Sequence, residues 1–227
     1  MATKLKRDYH RKSKRRKIRV LITAGPTWIQ LDPVRIISNI STGKTGQMLA
    51  EKIARAGNQV KLLLGPSPFG YKHNFKGVEV LRYIFFNELR DKIRKILRKS
   101  RFDVVIHSAA VCDFWPLQVV RHKFKSSNKK WDVKLVRTPK IINEIKRISP
   151  GLMLVGFKFE PQASKGYLIK EAGMLMRQSG SDIVVANTVK NNSYKAYILD
   201  SDSVRGPFIN KSAMSDTLIK LIQDKIK

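Results

Sequence analysis

The chain has little cysteine, few acidic residues and no long apolar run. Cys112 is the only cysteine among the 227 residues, which excludes an internal disulfide and a cysteine-based metal cluster and makes a reducing cytoplasm the expected compartment. We expect its thiol to be packed or to line a site rather than to act as a nucleophile. No apolar run is long enough to cross a membrane and no apolar signal segment opens the chain, so the sequence predicts a soluble cytoplasmic protein without membrane contact.

The shortage of acids leaves a strong positive charge. The chain holds 46 Lys and Arg against 17 Asp and Glu, a net charge of +29. Ten of these bases and one of the acids lie in residues 1–19, and this pattern predicts a disordered basic tail over residues 1–17 that contacts RNA nonspecifically. The rest of the chain still carries +20, a field that would steer anionic substrates toward it.

Short β-rich apolar runs alternate with amphipathic helical segments. This alternation predicts an α/β fold over residues 18–227: a doubly wound, mostly parallel, Rossmann-like three-layer sandwich with a protruding arm at 117–136. We expect a helix to begin at Pro139 and an exposed strand at 131–136. The other predicted strands are 18–23, 59–64, 78–84, 103–108, 152–157, 182–186 and 196–199. The other predicted helices are 44–56, 87–99, 163–178 and 212–226.

The segment 32–46 combines a cation, an amide, hydroxyls and two glycines between a strand-like run and a helix. These groups suit phosphate, because the backbone N–H groups at a helix N-terminus attract anions and glycine permits close approach. A P-loop is excluded, since Ser38 stands where its first glycine is required. A dinucleotide fingerprint is also excluded, because only Gly25 directly follows the first strand, and this disfavours a dehydrogenase.

Five stretches, in this order along the chain, carry a resemblance to a known family. They are residues 20–27, 32–46, 108–114, 122–127 and 182–187. From about residue 18 to its C-terminus the sequence closely resembles phosphopantothenoylcysteine synthetase of the standalone bacterial type.

The resemblance implies a ligase of coenzyme A biosynthesis. Members of this family join 4′-phosphopantothenate to cysteine through an acyl-nucleotide intermediate and release pyrophosphate, with Mg²⁺ and with CTP or ATP as co-substrate. The bacterial type uses CTP, which we therefore expect here. The family also implies a homodimer to which residues 117–136 contribute.

The same resemblance assigns site residues. Asn39 and Lys123 are the expected catalytic residues, Asn39 in the acyl-nucleotide step and Lys123 at the triphosphate, and Arg35 is expected at the substrate phosphate. No metal ligand is identified. The expected nucleotide-binding residues are Gly25, Ser41, Gly43, Lys44, Ala109, Asp113, Lys123, Lys125 and Phe157.

Read without the family, the same residues allow plainer roles. Asn39 would form a local turn, Arg35 would pair with Asp32, Asp113 would end a strand and Phe157 would pack in the core. The alternative function is a basic nucleic-acid-binding α/β protein that retains a nucleotide pocket.

Overall fold

The computed structural model describes residues 16–67 and 75–226, and these form twelve strands and five helices. The strands are β1 (Arg19–Ala24), β2 (Trp28–Gln30), β3 (Ile36–Ser38), β4 (Gln59–Leu64), β5 (Val78–Arg82), β6 (Val104–His107), β7 (Phe114–Pro116), β8 (Leu135–Arg137), β9 (Met153–Phe159), β10 (Ile183–Lys190), β11 (Ser193–Leu199) and β12 (Val204–Phe208). The helices are α1 (Lys44–Arg55), α2 (Phe86–Lys99), α3 (Ile142–Ile148), α4 (Lys165–Ser179) and α5 (Lys211–Lys225).

Eight strands form the central sheet in the order β12-β11-β10-β9-β6-β1-β4-β5. The six from β5 to β10 run parallel, while β11 and β12 are antiparallel. The chain builds outward from β1 in one direction and then returns to continue from β6 on its other side. This confirms the doubly wound fold and places a topological switch point between β1 and β6, where such sheets bind their ligands.

Helices cover both faces of the sheet, and each face has its own hydrophobic core. Alternate residues of β1 pack into one core and then the other. Val20 and Ile22 pack with α1 and α5, whereas Leu21 packs with α2 and α3. Because neither face of β1 meets water, the strand is a continuous apolar run rather than an alternating one. This continuous apolar run is the signal that predicted the first strand from the sequence.

Several short elements differ from the sequence predictions. The exposed strand expected at 131–136 is wrong in its bounds, since only Leu135–Arg137 is extended and it pairs with Phe114–Pro116. Pro139 lies two residues before the N-cap residue Ile141 of α3 rather than at the helix start. The hairpin of β2 and β3 was not predicted, because strands of three residues are too short for a period to register. The basic tail of residues 1–17 lies, up to residue 15, outside the described residues.

Helix α1 packs unusually close to the sheet at Gly46. A Cβ atom at this position would lie 2.5 Å from the Cβ of Ala24 and 2.6 Å from the Oγ of Ser108. Only hydrogen fits there. The contact sets the N-terminus of α1 directly against the ends of β1 and β6.

We expect Gly46→Ala to lower the free energy of unfolding by about 1–3 kcal/mol, the usual cost of overpacking. Alanine favours helix over glycine by about 1 kcal/mol, so the loss must exceed that gain. Urea denaturation would measure it. The control is Gly166→Ala near the start of α4, where an added Cβ meets no atom within 4 Å. Equal stability changes in the two variants would contradict the close contact.

Candidate functional site

A cleft of about 1060 Å³ opens at the carboxyl ends of the parallel strands. Its walls are the loop after β3, the residues after β6, the start of α3, the end of β9 and one face of α4. It therefore lies at the switch point of the sheet, as the topology requires. The structure brings together in it seven of the residues singled out from the sequence: Asn39, Ser41, Gly43, Lys44, Ala109, Asp113 and Phe157.

The N-terminus of α1 presents backbone N–H groups to this cleft. Gly43, the N-cap residue, has a left-handed φ of 66° and no side chain of its own to cap the helix, and the first turn holds no acid. The N–H of Lys44 donates to the Oγ1 of Thr42 at 3.3 Å. The first intrahelical bond runs from the N–H of Gln47 to the carbonyl of Gly43, so the earlier N–H groups have no helical partner. A Cβ at Gly43 would lie 2.9 Å from the nitrogen of Gly25, which places Gly25 behind the cleft wall rather than in it. The geometry is that of an anion site.

Two ammonium groups in the cleft lack a carboxylate partner among the residues that the structure describes. Lys44 begins α1 and Lys211 begins α5, and both line the cleft. Burial lowers the pKa of Lys211, and the nearby charge of Lys44 lowers it further. Like charges held this close create a local positive potential that suits a polyanion.

The other two lysines of the cleft are paired. Lys158 lies 2.9 Å from Glu160 and 3.1 Å from Glu171. Burial lowers the pKa of Lys158, but the two carboxylates outweigh this effect and raise it above its ordinary value. Lys140 lies 2.5 Å from Asp113. Carboxylates therefore neutralise one side of the cleft, while the side at α1 keeps its positive charge.

The side chain of Asn39 is held by the loop after β6. Its Nδ2 donates to the carbonyls of Ala110 at 3.1 Å and Val111 at 3.0 Å. Two backbone acceptors fix the orientation of the amide, because only its NH₂ group can donate to both. Both hydrogens are used, so Oδ1 is the atom that Asn39 offers to a ligand.

A neutral histidine lies at the floor of the cleft. Burial lowers the pKa of His107 to about 4, and its Nδ1 lies 3.0 Å from the Oγ1 of Thr23. Nearby, the thiol of Cys112 is buried and donates to the carbonyl of Thr27 at 3.2 Å. The thiol contacts a backbone carbonyl and His107 contacts a hydroxyl, so the two side chains do not form the thiol–base pair that an activated thiol requires.

Arg35, Lys123 and Lys125 do not line the cleft. Arg35 donates to the buried carboxylate of Asp32 at 2.5 Å and to the carbonyl of Phe124 at 3.1 Å. The pairing with Asp32 is the plainer role that the sequence allowed. Lys123 and Lys125 flank Phe124 and are exposed.

Asp32 fastens the arm to the β2–β3 hairpin. Its carboxylate also accepts from the backbone N–H groups of Val34, Arg35 and Phe124, and Phe124 stacks on Trp131 at 4.4 Å. Burial raises the pKa of Asp32, but these hydrogen bonds together outweigh it and lower the pKa to about 2. One carboxylate thus joins two segments about ninety residues apart in sequence.

Sequence reasoning missed Lys140, Lys158, Glu171 and Lys211 as cleft residues. Lys158 directly follows Phe157 on β9, so strand position offered a signal. Lys211 and Glu171 lie on helices far along the chain, and in a sequence with 46 Lys and Arg no local pattern separates them from surface charges.

The chain resembles known proteins both in sequence and in fold. A profile of the DNA/pantothenate metabolism flavoprotein C-terminal domain family matches residues 15–225. The coenzyme A biosynthesis bifunctional protein CoaBC of Thermococcus kodakarensis is 39% identical over 185 residues, which are 81% of this chain and 44% of that protein. The chain thus spans less than half of this curated relative.

Two solved structures share the fold. The C-terminal domain of a coenzyme A biosynthesis bifunctional protein CoaBC is 26% identical with a TM-score of 0.74, and the match covers 92% of this chain and 95% of that one. The DNA/pantothenate metabolism flavoprotein from Streptococcus pneumoniae is 22% identical with a TM-score of 0.81, covering 92% and 99%. Among the described residues no helix is long and apolar enough to cross a membrane.

We expect Asp32→Asn to loosen the arm, because an amide cannot accept all of the hydrogen bonds that the carboxylate accepts. Trypsin should then cleave after Lys123 and Lys125 several-fold faster than in the unchanged protein, as measured by mass spectrometry of the fragments. Since the folded pKa lies below the ordinary value, the unchanged protein should lose the same protection only as pH falls from about 4 toward 2. Pepsin, which is active in that range, would replace trypsin there and report the loss by cleavage at Phe124. Asp216→Asn, which removes an ion pair with Lys52, is the control, and equal cleavage in both variants would contradict the anchor.

Proposed function

Because the chain belongs to the DNA/pantothenate metabolism flavoprotein C-terminal domain family, we propose that it is a phosphopantothenate–cysteine ligase acting in coenzyme A biosynthesis. The observation that carries this proposal is the cleft at the switch point, where the N-terminus of α1 meets the unpaired charges of Lys44 and Lys211. That combination suits a triphosphate. The names of its curated relatives support the pathway.

In the first step the carboxylate of 4′-phosphopantothenate attacks the α-phosphorus of a nucleoside triphosphate. A new P–O bond forms, the bond to the β-phosphate breaks, and pyrophosphate leaves. Lys44, Lys211 and the N–H groups of α1 would hold the phosphates and neutralise charge in the transition state. Ser41 and Gly43 would approach the nucleotide from the loop after β3, and Ala109 from the segment after β6.

In the second step the amine of cysteine attacks the acyl carbon and the nucleoside monophosphate leaves with the electrons of the C–O bond. The attacking amine must lose a proton. We assign Asn39 to this step, because its Nδ2 hydrogens serve backbone carbonyls and its Oδ1 can accept a hydrogen bond from the amine. A role for Asn39 as a hydrogen-bond donor to the acyl phosphate would require Nδ2 to leave those carbonyls.

The base and the metal have candidate partners in the cleft. Phe157 would stack on the base, with CTP favoured over ATP by the bacterial-type resemblance. Mg²⁺ would neutralise phosphate charge when bound. No cluster of three or more metal-ligating side chains occurs in the described ranges, but Mg²⁺ bound to a nucleotide usually takes only one or two protein carboxylates. Asp113, Glu160 and Glu171 line the cleft and would be the candidates, each after giving up its ion pair with Lys140 or Lys158.

Arg35, Lys123 and Lys125 act, in this proposal, on a partner subunit. They lie outside the cleft of their own chain, and large apolar side chains are exposed around them: Val34 at 61%, Leu117 at 55% and Val119 at 51%. Surface of this kind on a hairpin and its docked arm suits a second copy of the chain. A dimer joined there would present Lys123 to the other cleft.

The remaining expectations are also proposals. They are a domain over residues 18–227 preceded by a basic tail over 1–17, nonspecific RNA contact through that tail, and a cytoplasmic location. The alternative function, a basic nucleic-acid-binding protein that keeps a nucleotide pocket, is favoured only by the +20 charge of residues 20–227.

We expect the protein to release pyrophosphate and form the amide when given 4′-phosphopantothenate, cysteine, Mg²⁺ and CTP, and to do so more slowly with ATP. A coupled pyrophosphate assay and mass spectrometry would measure the two products. Asn39→Asp should reduce amide formation by roughly 10²-fold, the effect of one lost transition-state contact, and reduce single-turnover pyrophosphate release much less.

The matched control is Asn87→Asp, the same chemical change at an exposed position of α2 outside the cleft. It should leave both steps unchanged. Loss of both steps to the same extent in the Asn39 variant would refute its assignment to the second step. RNA binding without any pyrophosphate release would favour the alternative function.

We expect the protein to be a dimer that Val34→Glu combined with Leu117→Glu converts to a monomer, because charges would be buried in an apolar contact. Light scattering after gel filtration would report the mass. Ile209→Glu, at a 72% exposed apolar residue before α5, is the control and should remain dimeric. A monomeric unchanged protein, or a dimer that survives the double change, would contradict the interface.

A further inference from the structure

A second concave site lies at the edge of the sheet, between strands β4 and β5 and helix α2. It encloses about 340 Å³ and shares no lining residue with the cleft. We call it the basic groove. Its lining residues are Lys61, Leu81, Arg82, Lys92, Lys95, Ile96, Lys99 and Ser100.

The basic groove has five cationic side chains and no carboxylate in its lining. Two of the five have carboxylate partners at its rim, Lys61 with Glu79 at 2.8 Å and Lys92 with Glu88 at 3.0 Å. Lys95 and Lys99 are exposed and have no carboxylate partner within the described ranges. The groove is therefore a site of net positive charge with uncompensated ammonium groups.

Helix stability alone does not account for this arrangement. Lysines in the last turn of a helix interact favourably with its dipole, and that explains Lys99 at the end of α2. It does not explain Lys61 and Arg82, which reach the same groove from two strands. Strands β4 and β5 and helix α2 thus each contribute positively charged side chains to the same groove.

The N-terminal segment reaches the body next to this groove. Arg16 pairs with Asp103 at 2.7 Å, and the backbone N–H of Arg19 donates to the same carboxylate at 2.7 Å. Asp103 follows the C-terminal end of α2 by only a few residues. Residues 1–15 hold seven more Lys and Arg, so a strongly basic stretch of sequence precedes the residues that bind Asp103.

We propose that the basic groove binds the phosphate backbone of single-stranded RNA without sequence preference. Lys92, Lys95 and Lys99 lie three and four residues apart on one face of α2, a row of about 10 Å that can follow successive phosphates. Its charges are mostly lysine ammonium groups and its floor is aliphatic, with Leu81 and Ile96, so the groove offers point charges rather than base-stacking aromatics.

A membrane surface fits the groove less well. Interfacial binding requires large apolar side chains that can enter the lipid, and none of the exposed large apolar residues of the described chain belongs to α2. The proposal does not rest on the ligase assignment, because RNA binding requires no turnover and the two sites share no lining residue.

The test is fluorescence anisotropy of a labelled oligouridine with the full chain over a range of salt concentrations. Lys95→Gln combined with Lys99→Gln should weaken binding roughly tenfold and reduce the slope of log K against log salt by about 1.4, or about 0.7 for each phosphate contact. Lys170→Gln combined with Lys220→Gln removes the same charge from exposed positions of α4 and α5 and should change neither quantity. Ligase activity should be unchanged in both.

Three outcomes would overturn the proposal. Equal weakening by the two pairs would show general attraction to a basic protein. Weakening only by Lys12→Gln combined with Lys14→Gln would place the contact in the tail alone. Tighter binding of polyglutamate than of the RNA at equal charge would indicate an acidic protein surface instead. Single-stranded DNA of the same length should bind comparably, because the contacts are to phosphate.

Discussion

The close approach of helix α1 to the sheet is the constraint on which the rest of this molecule depends. With only hydrogen on the Gly46 Cα, the helix can press its first turn against the ends of β1 and β6, and Gly43 presses in turn against Gly25. The N–H groups at the helix start are thereby fixed at the switch point of the sheet. Preorganised dipoles of this kind stabilise charge without reorganising during the reaction. A bulkier residue at either glycine would separate the anion site from the rest of the cleft.

Charge is distributed unequally within that cleft. Lys158 and Lys140 are tied to carboxylates, whereas Lys44 and Lys211 are not. The first pair holds β9, α4 and the loop after β6 in place and leaves that side nearly neutral. The second pair supplies positive charge beside the helix terminus. The two ends of the cleft therefore differ in electrostatic character, so one end suits an anionic group and the other a neutral one.

How much of this could be predicted differs from element to element. The long strands and helices were accessible because burial on two faces gives continuous apolar runs and burial on one face gives a helical period. The hairpin of β2 and β3 was not, since its strands are three residues long and Asp32 forms contacts with Phe124 that only tertiary structure reveals. Asn39 and Lys44 were found through their neighbours in sequence. Lys211 was not predicted, because it matters only through its proximity to Lys44 in the folded protein. Proximity between residues that are remote in sequence cannot be read from composition or local patterns.

The proximity of Lys44 and Lys211 also has a mechanical consequence. Each lysine begins a helix, and α1 and α5 pack against each other, with Lys52 paired to Asp216 farther along. In the free protein, mutual repulsion between the two ammonium groups works against this packing at one end. A bound polyanion replaces that repulsion with two attractions, so occupancy draws the helix pair together. Whichever ligand enters first thus stiffens the frame that receives the second, so the two favour each other's binding.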